Sequence, residues 1–433
     1  MSTLASKVRP RGYVVTRQTL GTILGIASGI LFLPIEIKVG VVLRPFDFFL
    51  GFVLLLSPFF LLKKSLLRDF FSRSYIQIYV LLCLYLTLNA VVLNPSATTK
   101  EALQQFEFFI FTFLMVGVFV QPQARRAFFR AYFYTTFALV IYTTVWHIAH
   151  GYVVMYKALD ELKILYGLLA TFLFVRFALD RKYLLLFLFA ALLMVMSLER
   201  KGWFAFILTA GPILLILYRS FRYRQRVLRI VSRVAIGVSL LGFILVSGSV
   251  AQSDEVLEQF NDTAILFTDF SLEKKDAEEI GSQSNAGRLY LMLISLNAIR
   301  ENPIFGIGTD RFRQEITLIS ARMGDEKTAG AHNEYQRLAV ENGLPALFVY
   351  LLMLWLAYRS IRRIPPALVK QDGSVLDYTL VVAFFIYGGV VNFFLGGGAT
   401  NKFFLTLPLG MVGGMVIYYQ QRYGHKLKIN RPV

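Results

Sequence analysis

Long apolar runs recur along this 433-residue chain, and they constrain its fold more than any other feature of the sequence. A helix that crosses the ~30 Å hydrocarbon core of a bilayer needs about 20 apolar residues, and runs of roughly this length alternate here with polar connections. A transmembrane β-barrel would instead contain alternating segments of about ten residues. Because 56% of the residues are hydrophobic, a water-soluble domain would expose too much apolar surface. The sequence therefore predicts an all-α polytopic membrane protein.

Twelve apolar segments are predicted to be transmembrane helices. Their approximate bounds are 19–34, 45–62, 75–93, 106–120, 131–149, 163–179, 183–197, 202–218, 234–250, 338–358, 376–395 and 403–419. The first run, Leu20–Leu33, follows basic residues and lacks a small-residue cleavage site, so we expect a retained anchor. The chain divides into a transmembrane bundle over residues 1–250, a long polar loop over 251–337, and C-terminal transmembrane helices with a basic tail over 338–433.

The charge of the chain is unevenly distributed. A formal net charge of +18 would suit a nucleic-acid-binding protein, but the basic residues lie in short clusters between apolar runs. One such cluster, Arg125, Arg126 and Arg130, is predicted to lie in the connection before the span at 131–149. Such clusters on alternate connections follow the positive-inside rule, so we predict that both termini are cytoplasmic and that nucleic acid is not a partner. The single cysteine, Cys83, is predicted to be a core residue of an apolar helix, and no disulfide within the chain is possible.

The loop over residues 251–337 is the longest polar stretch and falls on the outer side of the predicted topology. A connection of this length is uncommon unless it is functional or disordered. Part of it, Gly287–Asn302, has apolar residues at helical spacing, and Pro303 follows its end. We therefore predict an amphipathic helix there, while residues 251–283 have no such pattern.

His332 is the first candidate for chemistry, because it lies at the end of this polar loop. The residues from Glu334 to Val340 are typical of a helix, and the sequence Asn342–Pro345 predicts a break in it. The dipole of a helix N-terminus disfavours imidazolium, so a histidine there would stay neutral and able to accept a proton near pH 7. The alternative is an interfacial histidine with a structural hydrogen bond.

Two cationic positions accompany this histidine. Arg200 and Lys201 occupy a turn of a few residues between two predicted spans on the outer side, and Arg288 opens the amphipathic loop helix. Arginine is well suited to hold a phosphate through bidentate hydrogen bonds. The alternatives are snorkelling of the first pair towards water, with Glu199 as a local partner, and an ordinary surface role for Arg288.

Other motifs in the sequence are weaker candidates for a functional site. The segment ENPIFGIG (301–308) lacks the third glycine of a dinucleotide fingerprint and is predicted to be a structural turn. His147 and His150 have a spacing that zinc can use, but no third ligand is evident, and we expect interface residues. No adjacent acidic pair lies at a loop–membrane junction and no ATP-binding loop is present, so neither a metal nor another cofactor is expected.

Three segments together resemble the O-antigen ligase/polymerase superfamily of bacterial inner-membrane glycosyltransferases. They are LERKGWFAF (198–206), GRLYLMLISLNAIRENPIFGIG (287–308) and AHNEYQRLAVENGLPALF (331–348). Their order, the long outer loop and the twelve spans are also similar to that family. The resemblance implies a metal-independent, inverting transferase of the membrane-embedded GT-C type, located in the inner membrane of a Gram-negative bacterium with its active site on the periplasmic face.

The resemblance also implies roles for individual residues. His332 would be the base, and Arg200 and Arg288 would bind the pyrophosphate of an undecaprenyl-pyrophosphate-linked polysaccharide, with Lys201 or Arg337 as helpers. The favoured reaction is ligation of that polysaccharide to the lipid A–core oligosaccharide. A polysaccharide polymerase of the same superfamily is the first alternative. A transporter of lipid-linked oligosaccharide is the second, although no internal repeat supports it.

Overall fold

Ten of the twelve predicted spans coincide with helices in the computed structural model of this protein. The structure describes residues 17–31, 37–39, 41–43, 51, 64–150, 163–197, 200–221, 223, 225, 227–230, 233, 292, 294–312, 314–315, 318, 333–393 and 399–424. The predicted spans 45–62 (apart from Gly51) and 234–250 lie outside these residues. The number of twelve therefore stays a prediction.

The described part of the chain is helical apart from one short hairpin. Its helices are α1 (Arg17–Ile30), α2 (Lys64–Phe71), α3 (Ser74–Leu93), α4 (Thr98–Phe119), α5 (Pro122–Ala149), α6 (Lys163–Leu179), α7 (Leu184–Met196), α8 (Arg200–Arg219), α9 (Glu334–Arg362), α10 (Pro366–Gln371), α11 (Val375–Val391) and α12 (Ala399–Tyr423). Short 3₁₀ turns cover Pro95–Ala97 and Arg181–Tyr183. Strands β1 (Ile37–Val39) and β2 (Val41–Leu43) pair antiparallel with Ile37 opposite Leu43, a hairpin that the sequence pattern did not predict.

Five of these helices, α3, α4, α8, α9 and α12, are long and apolar enough to cross a membrane. Helix α3 illustrates why they need one: Tyr75, Tyr79 and Leu82 are buried on one face, whereas Leu88 and Val92 on the other are 61% and 74% exposed. An apolar face of this kind would be costly in water and is stable against lipid. The prediction of a helical membrane protein is confirmed.

Small residues allow the helices to approach each other closely. A methyl group added at Gly25 of α1 would lie 2.6 Å from the carbonyl oxygen of Phe128 in α5. A methyl group at Gly414 of α12 would lie 2.6 Å from the carbonyl oxygen of Val116 in α4. Close backbone contact at small residues is the usual way in which membrane helices associate, because lipid supplies no hydrophobic force between them.

Arg125 corrects one detail of the predicted topology. The sequence placed it in a basic connection ahead of a span at 131–149, but α5 begins at Pro122 and the Arg125 side chain is completely buried. Its Nε donates to Asp377 at 2.8 Å and its Nη2 to Ser374 Oγ at 2.9 Å, while its guanidinium lies over the Tyr418 ring. These partners compensate the charge, so the helix extends through a segment that looks like a solvated loop.

Candidate functional site

The start of α9 defines the candidate site. The helix begins at Glu334, and the Asn333 side chain caps it by accepting hydrogen bonds from the backbone amides of Tyr335 and Gln336 at 3.0 and 3.2 Å. This confirms the predicted helix start two residues after His332. His332 itself lies outside the described residues, so its side chain is placed only by its position in the chain.

Helix α11 holds this first turn of α9 in position. The backbone amide of Glu334 donates to the carbonyl oxygen of Asn392 at 2.9 Å. The Tyr335 hydroxyl donates to the carbonyl oxygen of Gly389 at 2.7 Å. Two consecutive residues of α9 are thus fixed against the end of α11.

The start of α8, where Arg200 and Lys201 lie, meets the same end of α11. A methyl group added at Gly167 of α6 would lie 2.7 Å from both the Gly202 carbonyl oxygen and the Tyr387 hydroxyl. That hydroxyl donates to the carbonyl oxygen of Ile164 at 2.8 Å. Gly202 follows Arg200 by two residues, and the side chains of Arg200 and Lys201 lie outside the described residues. Because Tyr387 and Asn392 are only five residues apart, or about 7.5 Å along a helix, α8 and α9 begin at the same end of the bundle.

The described part of the predicted loop helix, residues 294–301, also contacts α9. The Gln336 Nε2 donates to Ser295 Oγ at 2.5 Å, across a separation of 41 residues. Arg288 lies outside the described residues, seven positions before Ser295. His332 and Arg288 therefore each lie a few residues before one of two segments that are hydrogen-bonded to each other.

The glycine-rich turn after this segment fits into a break in α9. Gly343 has φ 81° and ψ 169°, which confirms the predicted break at Asn342–Pro345. The backbone amides of Ile307 and Gly308 donate at 2.9 Å to the carbonyl oxygens of Val340 and Glu341. Since these amides are used within the fold, the segment is a structural turn rather than a phosphate-binding loop.

Asn89 and Thr309 attach this turn to α3. Asn89 donates through Nδ2 to the Phe305 carbonyl oxygen at 2.7 Å and accepts from the Thr309 hydroxyl at 3.2 Å. The Tyr85 hydroxyl adds a 2.8 Å bond to the Asn342 carbonyl oxygen exposed by the break in α9. Buried polar groups need such partners, and here they fix the loop segment to the bundle.

Arg337 lies in the first turns of α9 between two carboxylates. It bonds Glu334 through Nε at 2.9 Å and Nη2 at 2.6 Å, and Glu341 through Nη1 at 2.5 Å. Its side chain is 14% exposed. Glu341 also accepts the backbone amide of Phe312 at 3.2 Å. The guanidinium is thus largely neutralised by its neighbours and connects α9 to the loop segment.

A second ion pair joins α4 and α12 beside Glu334. Lys402 Nζ lies 3.0 Å from both carboxylate oxygens of Glu101 and 2.9 Å from Gln104, and Asn401 Nδ2 donates to Glu334 at 3.2 Å. Sequence reasoning missed Glu101, Asn401 and Lys402. The available signal was that Glu101 and Lys402 each lie just before a predicted span on the outer side, where a charge is costly unless paired.

Glu334, Arg337, Asn401 and Lys402 line a cavity at the end of the bundle where α9 begins. It contains about 410 Å³ of space, including the solvent at its mouth. Its lining residues are Tyr79, Leu82, Leu86, Gln105, Glu334, Arg337, Leu338, Tyr350, Asn401, Lys402, Leu405 and Thr406. Aromatic rings with amide, carboxylate and ammonium groups form a surface suited to a polar, hydroxyl-bearing molecule.

The remaining candidates have ordinary structural contacts. His150 Nδ1 lies 2.7 Å from the Trp146 carbonyl oxygen, and its ring stacks on that tryptophan. The Cys83 thiol donates to Gln105 at 3.3 Å. Within the part of the chain that the structure describes, no three His, Cys, Asp or Glu side chains form a group that could hold a metal.

Comparison with known proteins supports the resemblance carried by the three segments. Residues 185–351 match the family model described as O-Antigen ligase. The match contains most of α7, then α8, the long loop and the first part of α9. It therefore includes the site residues predicted from the sequence, whereas Glu101, Asn401 and Lys402 lie outside it. No curated protein matches the chain.

Proposed function

We propose that this membrane protein belongs to the O-antigen ligase/polymerase superfamily and is an O-antigen ligase. The match of residues 185–351 to the O-Antigen ligase family model supports this proposal. A general transferase role follows from that family. The finer proposal is transfer of a polysaccharide from undecaprenyl pyrophosphate to the lipid A–core oligosaccharide, by an inverting mechanism that needs no metal.

One observation carries the proposal: α8 and α9 begin at the same end of α11. The Gly202 carbonyl oxygen and the Tyr387 hydroxyl both lie beside Gly167, and Glu334 bonds Asn392. Arg200 lies two residues before Gly202, and His332 lies two residues before Glu334. A cationic turn and an imidazole at one end of the bundle are the groups that transfer from a pyrophosphate requires.

The reaction proposed for this pocket has one displacement step. A hydroxyl oxygen of the acceptor attacks the anomeric carbon of the donor from the face opposite the pyrophosphate. The C–O bond to the pyrophosphate breaks and undecaprenyl pyrophosphate leaves with the electron pair, so the configuration inverts. His332 takes the proton of the attacking hydroxyl, and this help is typically worth about 10²–10⁴-fold in rate.

Arg200 and Arg288 are proposed to bind the pyrophosphate and to stabilise the charge that develops on it. Lys201, next to Arg200, adds to the positive potential. Arg337 acts less directly, because Glu334 and Glu341 neutralise most of its charge. We assign Arg337 to positioning the first turn of α9, and with it His332, against the cavity.

The charge distribution supports placing this pocket on the periplasmic face of a bacterial inner membrane, with both termini in the cytoplasm. The buried Arg125–Asp377 pair lies at the start of α11, near the predicted cytoplasmic clusters. The Glu334–Asn392 contact lies at its other end, beyond Val391. The undecaprenyl chain would lie between helices and the glycan would extend into the periplasm.

Purified protein incubated with undecaprenyl-pyrophosphate-linked glycan and lipid A–core tests the proposal. Mass analysis is expected to detect the joined product with wild-type protein and a loss of at least about 10²-fold with His332→Ala. His150→Ala is the matched control, since the His150 ring bonds and stacks on Trp146 of its own helix end and its loss should leave full activity. Near-normal transfer by His332→Ala would remove this residue from the base role.

A polymerase of the same superfamily is the second candidate, because the family covers both reactions and only the acceptor differs. A deletion strain distinguishes them: loss of all O-antigen from the core indicates a ligase, whereas one repeat left on the core indicates a polymerase. Movement of labelled donor across vesicles without any covalent product would instead favour a transporter.

A further inference from the structure

We propose that Arg181, Arg229 and Arg233 form a binding site for the headgroup phosphate of an anionic phospholipid. The site lies at the end of α6 remote from the candidate active site, and it does not depend on the reaction proposed above. Its occupant is a membrane lipid rather than the glycosylated substrate.

The three arginines line a pocket of about 240 Å³, including the solvent at its mouth, whose other lining residues are Phe177 and Ile230. Those two side chains are 5% and 4% exposed and form an apolar floor. The lining thus contains three guanidinium groups and, among described residues, no carboxylate. Guanidinium groups bind phosphate through paired, charge-assisted hydrogen bonds, and they lose less on leaving water than an ammonium does.

Local contacts organise these arginines. The Arg229 Nε donates to the Gln225 carbonyl oxygen at 3.1 Å, which restricts its side chain. Arg181 opens the 3₁₀ turn Arg181–Tyr183, which the Asp180 side chain caps at the backbone amide of Lys182. The Asp180 carboxylate also pairs with Lys182 Nζ at 3.0 Å.

The surface next to the pocket favours a lipid over a soluble anion. Helix α7 begins directly after the 3₁₀ turn, and its residues Leu185, Leu188 and Leu192 are 78%, 51% and 57% exposed. A headgroup held by Arg181 therefore has an apolar helix face beside it along which acyl chains can lie. Free phosphate would gain only the charged contacts.

The position along α6 separates this pocket from the candidate active site. Ile164 contacts Tyr387 at one end of the helix, and Phe177 lies 13 residues further on, about 20 Å away along the axis. The positive-inside rule predicts that this end is cytoplasmic, where anionic lipids attract basic groups near the surface.

Native mass spectrometry of the full-length protein in detergent tests the proposal, with phosphatidylglycerol, cardiolipin and zwitterionic phosphatidylcholine as probes. The test variant is Arg181→Gln/Arg229→Gln/Arg233→Gln. The control variant is Arg359→Gln/Arg362→Gln/Arg363→Gln, which removes the same charge from exposed positions near the end of α9. Thermal unfolding in phosphatidylcholine verifies that each variant is folded, and single Arg233→Gln replaces the triple variant if it is not.

We expect wild-type protein to retain an anionic lipid in preference to phosphatidylcholine. The pocket variant should bind it about tenfold or more weakly, while the control variant stays within about twofold of wild type. Equal retention by pocket and control variants, or equal binding of phosphatidylcholine, would overturn the proposal. Thermal stabilisation by inorganic phosphate as large as that by phosphatidylglycerol would overturn the assignment to a lipid.

Discussion

The backbone amide of Glu334 donates a 2.9 Å hydrogen bond to the carbonyl oxygen of Asn392, and this bond joins the first turn of α9 to the end of α11. Because the amide belongs to the start of a helix, it has no partner within α9. The bond therefore satisfies both helix ends while it fixes the chain two residues after His332. The proposed site depends on this junction and on the Tyr387 contact one and a half turns earlier in α11.

The Tyr387 hydroxyl provides the first prediction. Tyr387→Phe removes its 2.8 Å bond to the Ile164 carbonyl oxygen without changing the packing of the ring, and it should cost about 1 kcal/mol of stability. Because the hydroxyl and the Gly202 carbonyl oxygen both lie beside Gly167, the start of α8 should shift and transfer activity should fall as well. Thermal unfolding in detergent and the transfer assay measure the two effects. Tyr142→Phe, at a site 62% exposed on α5, should change neither.

The Glu101–Lys402 pair gives a prediction on stability. Lys402→Met leaves the Glu101 carboxylate buried without its cation and should destabilise the protein by about 3–5 kcal/mol. Lys100→Met is the control, since the side chains of Lys100 and Asp310 are 60% and 55% exposed. Loss of this exposed ion pair should cost at most about 1 kcal/mol. Adding Glu101→Gln to Lys402→Met should restore part of the loss. Equal destabilisation by both lysine variants would contradict the buried pair.

The break in α9 gives a prediction on backbone conformation. Gly343 has φ 81°, and a methyl group there would collide with the Ile304 carbonyl oxygen. Gly343→Ala should therefore cost about 1–3 kcal/mol from backbone strain, with a further loss from the collision. Gly373→Ala is the matched control, because φ is 65° but no atom lies within 4 Å of the added methyl group. A smaller loss at Gly343 than at Gly373 in thermal unfolding would be inconsistent with the packed turn.

The loop arginine gives a prediction on donor binding. Arg288→Ala should lower kcat/KM by about 10²-fold, with a higher KM because a cation that binds the donor pyrophosphate is lost and a lower kcat because the leaving group is less stabilised. Arg300→Ala, exposed on the described segment 294–301, is the control and should leave the kinetics unchanged. Full activity of the Arg288 variant would remove it from the site.

Much of the helical frame could be predicted from the sequence, because apolar runs and helix breakers are local signals. The start of α9 near Glu334 and its break at Gly343 followed from the helical pattern of residues 334–340 and from the Asn–Gly–Leu–Pro sequence after it. Arg125 was misplaced because its compensating partner, Asp377, is 252 residues away. In the sequence alone, a charged residue next to an apolar run is assigned to a loop, because the distant partner that allows its burial cannot be identified.

The buried ion pair beside the cavity was missed for the same reason. Glu101 and Lys402 are separated by 301 positions, and each alone is an isolated charge at the edge of an apolar run. Only the packing of α4 against α12 brings them together. The candidate residues themselves came from a resemblance and from helix-end chemistry, and the roles of His332, Arg200, Arg288, Lys201 and Arg337 stay proposals.

The distance between the α8 turn and the residue before α9 tests the central claim most directly. Spin labels at Lys201→Cys and His332→Cys, in a Cys83→Ser background, allow it to be measured by pulsed electron paramagnetic resonance in bilayers. Both segments contact α11 at points about 7.5 Å apart along its axis, and each lies about one helix-packing distance from α11. These lengths together predict a separation below about 25 Å. A separation well above about 30 Å, the thickness of the hydrocarbon core, would place the two groups at different ends of the bundle and contradict a common site.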